Sequence, residues 1–325
     1  MRMTVETHRY ALRKPFVITG HVFEFTDTVR VTLEHDGFSG VGETVGSYYL
    51  DETAESMSTQ LLAIDDQLGG APDPQQIREL LPPCGARNAL DCAAWDWRAK
   101  AQGSSIWSLL DMQPQVLSTV FTVGMADPET MAAWAADAQR FADLKIKLDA
   151  DRPIERLELI RAARPDANLV IDVNQGWDFE ALREYLPHCQ RLGVAMIEQP
   201  LARDADEELA GFHAPVPPGA DESCLHLGEF AAAARRYDVL NIKLDKCGGL
   251  TEGLALVEAA RRLDMALMVG NMTGTSLSMA PSYVIGQSCR FVDIDGPLLL
   301  AEDVPHGLEY ADGGRVSIPT SALWG

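Results

Sequence analysis

The chain has few cysteines, and no two of Cys84, Cys92, Cys189, Cys224, Cys247 and Cys289 form a CxxC pair or fall at zinc-ligand spacing. That leaves no zinc motif and no redox pair, and reduced thiols in a cytoplasmic protein are expected. No apolar run approaches the ~18 residues of a membrane-spanning helix. The opening MRMTVETHRY lacks the apolar segment of a secretion signal. Cations are scarce: 27 Lys and Arg against 48 Asp and Glu leave a formal charge of −21. Such a chain is not expected to bind nucleic acid or an anionic membrane. The seven histidines show no ligand spacing, and Gly37-x-x-Gly40-x-Gly42 has no helix directly after it, so no dinucleotide fingerprint is present.

What is present divides into two rhythms. With 325 residues and 46% hydrophobic content, the chain can bury one large core or two moderate ones. From Thr4 to about Gly46 the pattern predicts an antiparallel meander of three strands, with the turn signal His35-Asp36-Gly37 before the third. Val17 to Phe25 reads as a loop between the first two strands, and Tyr48 and Tyr49 fall in another. Helices are predicted over Glu52–Leu68, Pro74–Leu80 and Ala86–Ala101, the last with an apolar stripe of Leu90, Ala93, Ala94 and Trp97. Residues 1–115 are therefore expected to form an α+β unit.

Near Val116 a second pattern begins. Eight strand-like cores, STVFTVG, LKIKLD, NLVIDVNQ, VAMIEQP, PPGADES, VLNIKLD, ALMVGNM and FVDIDGP, are each followed by an amphipathic stretch. The polar residues closing the third to the sixth, Asp172, Glu198, Asp221 and Lys243, recur at intervals of 26, 23 and 22 residues, about one βα unit. Strand and helix alternating through eight cycles point to a (β/α) barrel over 116–300. The segment 301–325, with its Asp312-Gly313-Gly314 turn, is expected to return as a hairpin onto the first unit.

In a parallel barrel the strand ends open at one mouth, so Asp172, Glu198 and Asp221 should converge there from three successive strands. Three carboxylates together need a hard cation, and oxygen-only ligation suits Mg²⁺ better than zinc. In LKIKLD the two-residue period puts Lys145 and Lys147 on one face and Leu144, Ile146 and Leu148 on the other. Lys145 and Lys147 precede the acids around the ring and Lys243 follows them, which places lysines on opposite sides of the mouth. A carboxylate substrate between them would have a lysine over each face of its α-carbon. Removing an α-proton builds an enediolate that Mg²⁺ stabilises as a Lewis acid. The base must be a neutral lysine, and nearby cations are expected to lower its pKa. If the second lysine returns a proton to the opposite face, the stereocentre inverts.

The motifs KIK, DVNQGW, IEQP, ADES, NIKLDKCGG and FVDID resemble, in order and spacing, the enolase superfamily in its muconate-lactonizing-enzyme subgroup. The resemblance implies an N-terminal capping domain and a modified TIM barrel, (β/α)₇β. It also implies Mg²⁺ on Asp172, Glu198 and Asp221, and Lys147 and Lys243 as the acid/base pair, with Lys145 helping to hold the substrate carboxylate. Asp293 and Asp295, two apart on the last strand, are similar to the DxD with which dipeptide epimerases bind a substrate α-ammonium. Thr122 is carried over as a further substrate contact. Where relatives acting on Ala-Glu present an arginine from the capping loop, this chain has His21, which grips a carboxylate less well. The expected partner is thus a dipeptide, or alternatively an N-acyl amino acid such as N-acyl-glutamate. A dehydratase, o-succinylbenzoate synthase or cycloisomerase remains as a further alternative, and a homo-oligomer is left open.

Overall fold

The computed structural model describes residues 1–325. Its N-terminal part is an antiparallel sheet of β1 (Arg2–Ile18), β2 (His21–His35) and β3 (Phe38–Val45), in the order β1-β2-β3. Val29, Val31 and Leu33 alternate along β2 and are fully buried. They face Ala89, Leu90, Ala93 and Ala94 of helix α3 (Gly85–Ala101) in one apolar cluster. Burial of each such β2 side chain stabilises the unit by ~1.5–3 kcal/mol. Gly40 and Gly42 explain the GxxGxG spacing: a Cβ on either would come within 2.2 Å of a carbonyl oxygen of α3, so only glycine lets the helix lie this close to the sheet.

Two expectations for this part need correction. Val17–Phe25 is not a loop: β1 and β2 run on through it as a long hairpin, turning at Thr19-Gly20 with Gly20 at φ 72°. A register shift between Ala11 and Phe16 bends that arm. The helix expected over Glu52–Leu68 is shorter, α1 (Ala54–Leu62), started by reciprocal hydrogen bonds between Thr53 and Ser56. Glu52 stays outside because its carboxylate accepts from the backbone of Ser47 and Gly85. Helix α2 (Pro74–Leu80) begins where the sequence places it, with Pro74 at its first turn. A one-turn α4 (Ile106–Leu109) ends the unit.

Beyond a short β4 (Leu117–Ser118), eight parallel strands follow as sequential neighbours in one curled sheet: β5 (Phe121–Val123), β6 (Asp143–Lys147), β7 (Asn168–Asp172), β8 (Val194–Glu198), β9 (Pro218–Ala220), β10 (Val239–Ile242), β11 (Ala266–Val269) and β12 (Phe291–Val292). The two ends of the sheet meet through Val120 N–H donating to Val292 O at 2.9 Å. Helices α5 (Pro128–Asp137), α6 (Pro153–Ala163), α7 (Phe179–Arg191), α8 (Leu227–Ala233), α9 (Leu244–Cys247) with α10 (Leu250–Arg262), and α11 (Ser276–Gly286) cover six of the seven crossovers. The crossover from β8 to β9 departs from the expected helix. It holds one 3₁₀ turn, Glu207–Leu209, in a stretch broken by Gly211, Pro215, Pro217 and Pro218.

Outward-facing Leu144, Ile146, Leu169, Ile171 and Ile197 join the main core with the helices. Inward-facing Val170, Met196, Val239, Met268 and Phe291 make a separate small cluster, the apolar floor of the barrel. After β12 comes α12 (Gly296–Leu299). The C-terminal segment pairs β13 (Arg315–Val316) with β4, and Tyr310 bridges to Val316. Its last residues reach α3, where Trp324 Nε1 donates to Cys92 O and Gly325 N to Asp96 Oδ1.

Candidate active site

Two residues beyond the floor the inner face turns polar, as a period of two requires. Asp172 follows Val170, Glu198 follows Met196, Asn241 and then Lys243 follow Val239, and Asp293 follows Phe291. Gly219 precedes Asp221 in the same way, and its missing side chain makes room for Met196, whose Sδ a Cβ would meet at 2.7 Å. Asp172, Glu198 and Asp221 are wholly buried at the ends of β7, β8 and β9, with Asp172 and Glu198 paired across the strands.

Each acid is matched to a lysine. Lys147 Nζ donates to Asp172 Oδ2 at 2.6 Å and to Asn174 Oδ1 at 3.0 Å. Lys243 Nζ donates to Asp221 Oδ2 at 2.6 Å, and Lys246 Nζ to Asp221 Oδ1 at 2.7 Å. Lys145 Nζ stands between three acids: 2.8 Å from Asp293 Oδ2, 2.8 Å from Glu198 Oε2 and 3.1 Å from Asp172 Oδ2. The approach to Glu198 Oε2 is out of line for a hydrogen bond, so that buried oxygen has a charge beside it and no donor. Its other oxygen accepts from Asn241 Nδ2 at 2.7 Å.

The electrostatics follow from this packing. Burial alone would raise Asp172, but Lys147 and Lys145 outweigh it and hold the carboxyl at about 2. Asp221 is likewise held far down, because Lys243 and Lys246 overcome its burial. Glu198, buried and facing Asp172, is pushed up to about 7. At Lys243 burial lowers the pKa, yet Asp221 and the other carboxylates win and raise it, and these are the same acids that would hold the cation expected to lower it. Lys145 is raised in the same way by Asp293, Glu198 and Asp172 against its burial.

Asp293 and Asp295 lie just past the end of β12 and, with Thr122, Lys145, Lys147 and Lys243, line one cavity of about 30 Å³. Ile294 between them is buried in the core, so the two acids do share a face. Asp295 Oδ2 accepts from Thr122 N at 2.6 Å, and burial together with Asp293 pushes Asp295 up to about 8. His21 does not line that cavity: it is exposed at the hairpin turn, its ring 4.3 Å from Phe23 and 5.2 Å from Tyr48, both walls of a neighbouring chamber. The hairpin is seated on the barrel mouth by Thr19 Oγ1, which lies 3.1 Å from Leu148 O and 3.0 Å from Val173 O, and by Met125 N donating to Val17 O. Between hairpin and lysines is a second chamber of about 80 Å³, walled largely by Ile18, Phe23, Tyr48, Tyr49 and Met272.

Several side chains at the site were not reached from the sequence. Asn271, after β11, donates through Nδ2 to both Asp293 O and Asp293 Oδ1, at 3.0 and 2.9 Å, and so fixes that carboxylate. Thr273 and Phe16 line the reaction cavity. Glu222 is buried with Oε2 unpartnered, and burial and Asp221 push it up to about 8. One signal was available: Glu222 directly follows the acid of ADE, and Asn174 stands two residues after the acid of DVN. Asn174, Gln175, Gln199 and Thr273 have left-handed backbones in the loops after β7, β8 and β11, the kind of strain that gathers at working sites.

The donor set fits a hard divalent cation, since three buried oxygen ligands come from adjacent strands and one oxygen lacks a hydrogen-bond donor. No three acids are grouped tightly enough to cage an ion as they stand, because each is turned onto a lysine. No helix is long and apolar enough to cross a membrane.

Comparison with known proteins places this geometry. Residues 1–111 match the mandelate racemase / muconate lactonizing enzyme N-terminal domain, and residues 129–322 match the enolase C-terminal domain-like family. An L-Ala-D/L-Glu epimerase of Escherichia coli is 38% identical over 310 residues, covering 94% of this chain and 96% of its own. An N-acetyl-D-glutamate racemase of a Pseudoalteromonas species is 35% identical, over 91% of this chain and 94% of its own. A solved structure of an enolase family member from Agrobacterium tumefaciens, with homology to dipeptide epimerases and with sodium and L-Ala-L-Glu bound, is 39% identical. It superposes with a TM-score of 0.96 over 99% of each chain.

Proposed function

The chain belongs to the mandelate racemase and muconate lactonizing enzyme family of the enolase superfamily, and on that footing we propose that it inverts the α-carbon of the C-terminal residue of a dipeptide. It is an isomerase. The observation that carries the reading is the single cavity whose walls bear Lys147 and Lys243 together with Asp293 and Asp295. In this reading residues 1–115 form the cap, 116–300 the catalytic barrel, and 301–325 the returning segment of a cytoplasmic enzyme with a small-molecule substrate.

Asp172, Glu198 and Asp221 would hold Mg²⁺, which, when bound, supplies a Lewis acid for negative charge on the substrate carboxylate. Asp293 and Asp295 bind the substrate ammonium, and Thr122 and Asn271 fix those two acids in place. Lys147 and Lys243 act from opposite faces of the α-carbon, one removing the proton and the other returning one. Lys145 adds positive charge where the carboxylate sits. The hairpin carrying Phe16 and Phe23 and the loop carrying Tyr48 and Tyr49 exclude water from the carbanionic centre. No arginine lines the second chamber, and its only cations are the two catalytic lysines. A neutral or apolar C-terminal side chain is therefore favoured over glutamate.

A second reading, racemisation of N-acyl amino acids, is supported by the Pseudoalteromonas relative. Incubation with Mg²⁺ in D₂O separates the two. Deuterium entering the C-terminal α-carbon of dipeptides supports the first, and exchange confined to N-acyl amino acids replaces it with the second.

A further inference from the structure

The reaction cavity shares walls with two neighbouring spaces, and only one is used by the assignment above. Through Lys147, Lys243, Asn271 and Thr273 it adjoins the chamber under the cap. Through Phe16, Thr122 and Leu299 it adjoins a separate groove of about 280 Å³, larger than the cavity and the chamber together. We propose that this groove is the subsite for the side chain of the substrate's first residue, and that it takes a bulky uncharged side chain in preference to alanine and rejects a basic one. The inference rests on the dipeptide reading and extends it to the other end of the substrate.

The placement follows from one hydrogen bond. Thr122 N donates to Asp295 Oδ2 at 2.6 Å, so the acid pair and the groove's inner wall form one unit. An ammonium on Asp293 and Asp295 brings the first residue's α-carbon against Thr122. The second residue, whose α-carbon must lie between Lys147 and Lys243, faces the chamber under the cap, which those two lysines also line. The first side chain is left with the groove.

The groove's chemistry sets what it takes. Phe121, Trp134 and Leu298 supply apolar walls. The only charged groups on it are Arg13, whose Nε donates to Leu298 O at 3.2 Å, and Lys14, whose Nζ sits 3.7 Å over the Trp134 ring. No carboxylate lines it. A lysine or arginine side chain there would meet two cations, while the nearest carboxylate outside the lining, Asp137 in the adjoining groove, already faces Lys14; leucine or phenylalanine would replace water against aromatic and aliphatic surface. Gly124 lets the Phe16 ring lie against the groove wall: a Cβ there would come within 3.1 Å of that ring.

The test is a series of dipeptides with C-terminal leucine and glycine, alanine, leucine, phenylalanine or lysine first, read as kcat/KM for deuterium entry at the C-terminal α-carbon. Leucine and phenylalanine should exceed alanine by about tenfold, the scale of one or more methylenes in an apolar pocket, and lysine should fall below alanine. Leu298→Trp, which fills the groove, should cut the leucine-to-alanine ratio by about tenfold. Exchange fastest with glycine or alanine, or a ratio untouched by Leu298→Trp, overturns the groove and leaves the dipeptide reading standing. Exchange with no dipeptide at all overturns both.

Discussion

Asp245 Oδ1 accepts a 2.8 Å hydrogen bond from Thr44 Oγ1, tying the turn after Lys243 to the cap sheet. The same oxygen accepts from Val45 N and Asn88 Nδ2, so one buried carboxylate serves three donors of the N-terminal unit. Asp245→Ala removes the acceptor from all three; Asn88 Nδ2 keeps Thr44 Oγ1 as a partner and Thr44 Oγ1 keeps Val45 O, so Val45 N is the donor left stranded. An unsatisfied buried polar group costs about 1–3 kcal/mol, so a loss of that size in urea unfolding is expected, with reduced kcat. A variant as stable as the parent would show that the cap is held by apolar packing alone.

Lys147→Ala and Lys243→Ala should each abolish epimerisation while leaving α-proton exchange from one substrate epimer, opposite in the two variants. Proton NMR in D₂O reads this directly. Interconversion of both epimers by either variant would remove the two-lysine assignment.

Asp293→Asn should weaken kcat/KM for dipeptides far more than for N-acyl amino acids, because only the former carry an ammonium. A buried charge pair that loses one partner forfeits about 3–5 kcal/mol, enough for a loss of at least a hundredfold. Equal losses on both substrate classes would reassign Asp293 to holding Lys145.

Asp91 gives a pH prediction away from the site. It is buried on α3 and accepts from Thr251 N and Oγ1, and burial outweighs those bonds and raises it to about 6. Its folded pKa lies above the unfolded ~3.9, so the folded chain binds the proton more tightly. The stability it contributes is fully present below about pH 4 and is lost as pH rises through 6. Asp91→Asn has no such titration, so its stability relative to the parent should rise by about 2 kcal/mol between pH 4.5 and 7.5. Denaturation at the two pH values measures it, and a pH-independent difference would count against the assignment.

Much of this molecule could be read from residue order, for identifiable reasons. The barrel strands carry a strict two-residue alternation, so Lys145, Lys147, Asp172, Glu198 and Asp293 were legible as one inward face. The β1–β2 hairpin was not, because Gly20 and the polar residues around it look like a loop until the barrel beneath supplies Leu148 and Val173 carbonyls for Thr19. Asn271 was invisible for a similar reason: nothing in GNMTG announces a partner 22 residues later. The direction of the Lys243 shift depends on whether carboxylates or cations stand nearer, which spacing along a chain does not reveal.

Phe16 borders the reaction cavity, the chamber under the cap and the outer groove alike. Preferences at the two ends of a substrate are therefore not independent traits in this lineage: a replacement that widens one alters the others in the same stroke. Divergence toward a new substrate would have to pass through paired changes, with a compensating partner such as Gly124 or Leu299, and not through Phe16 alone.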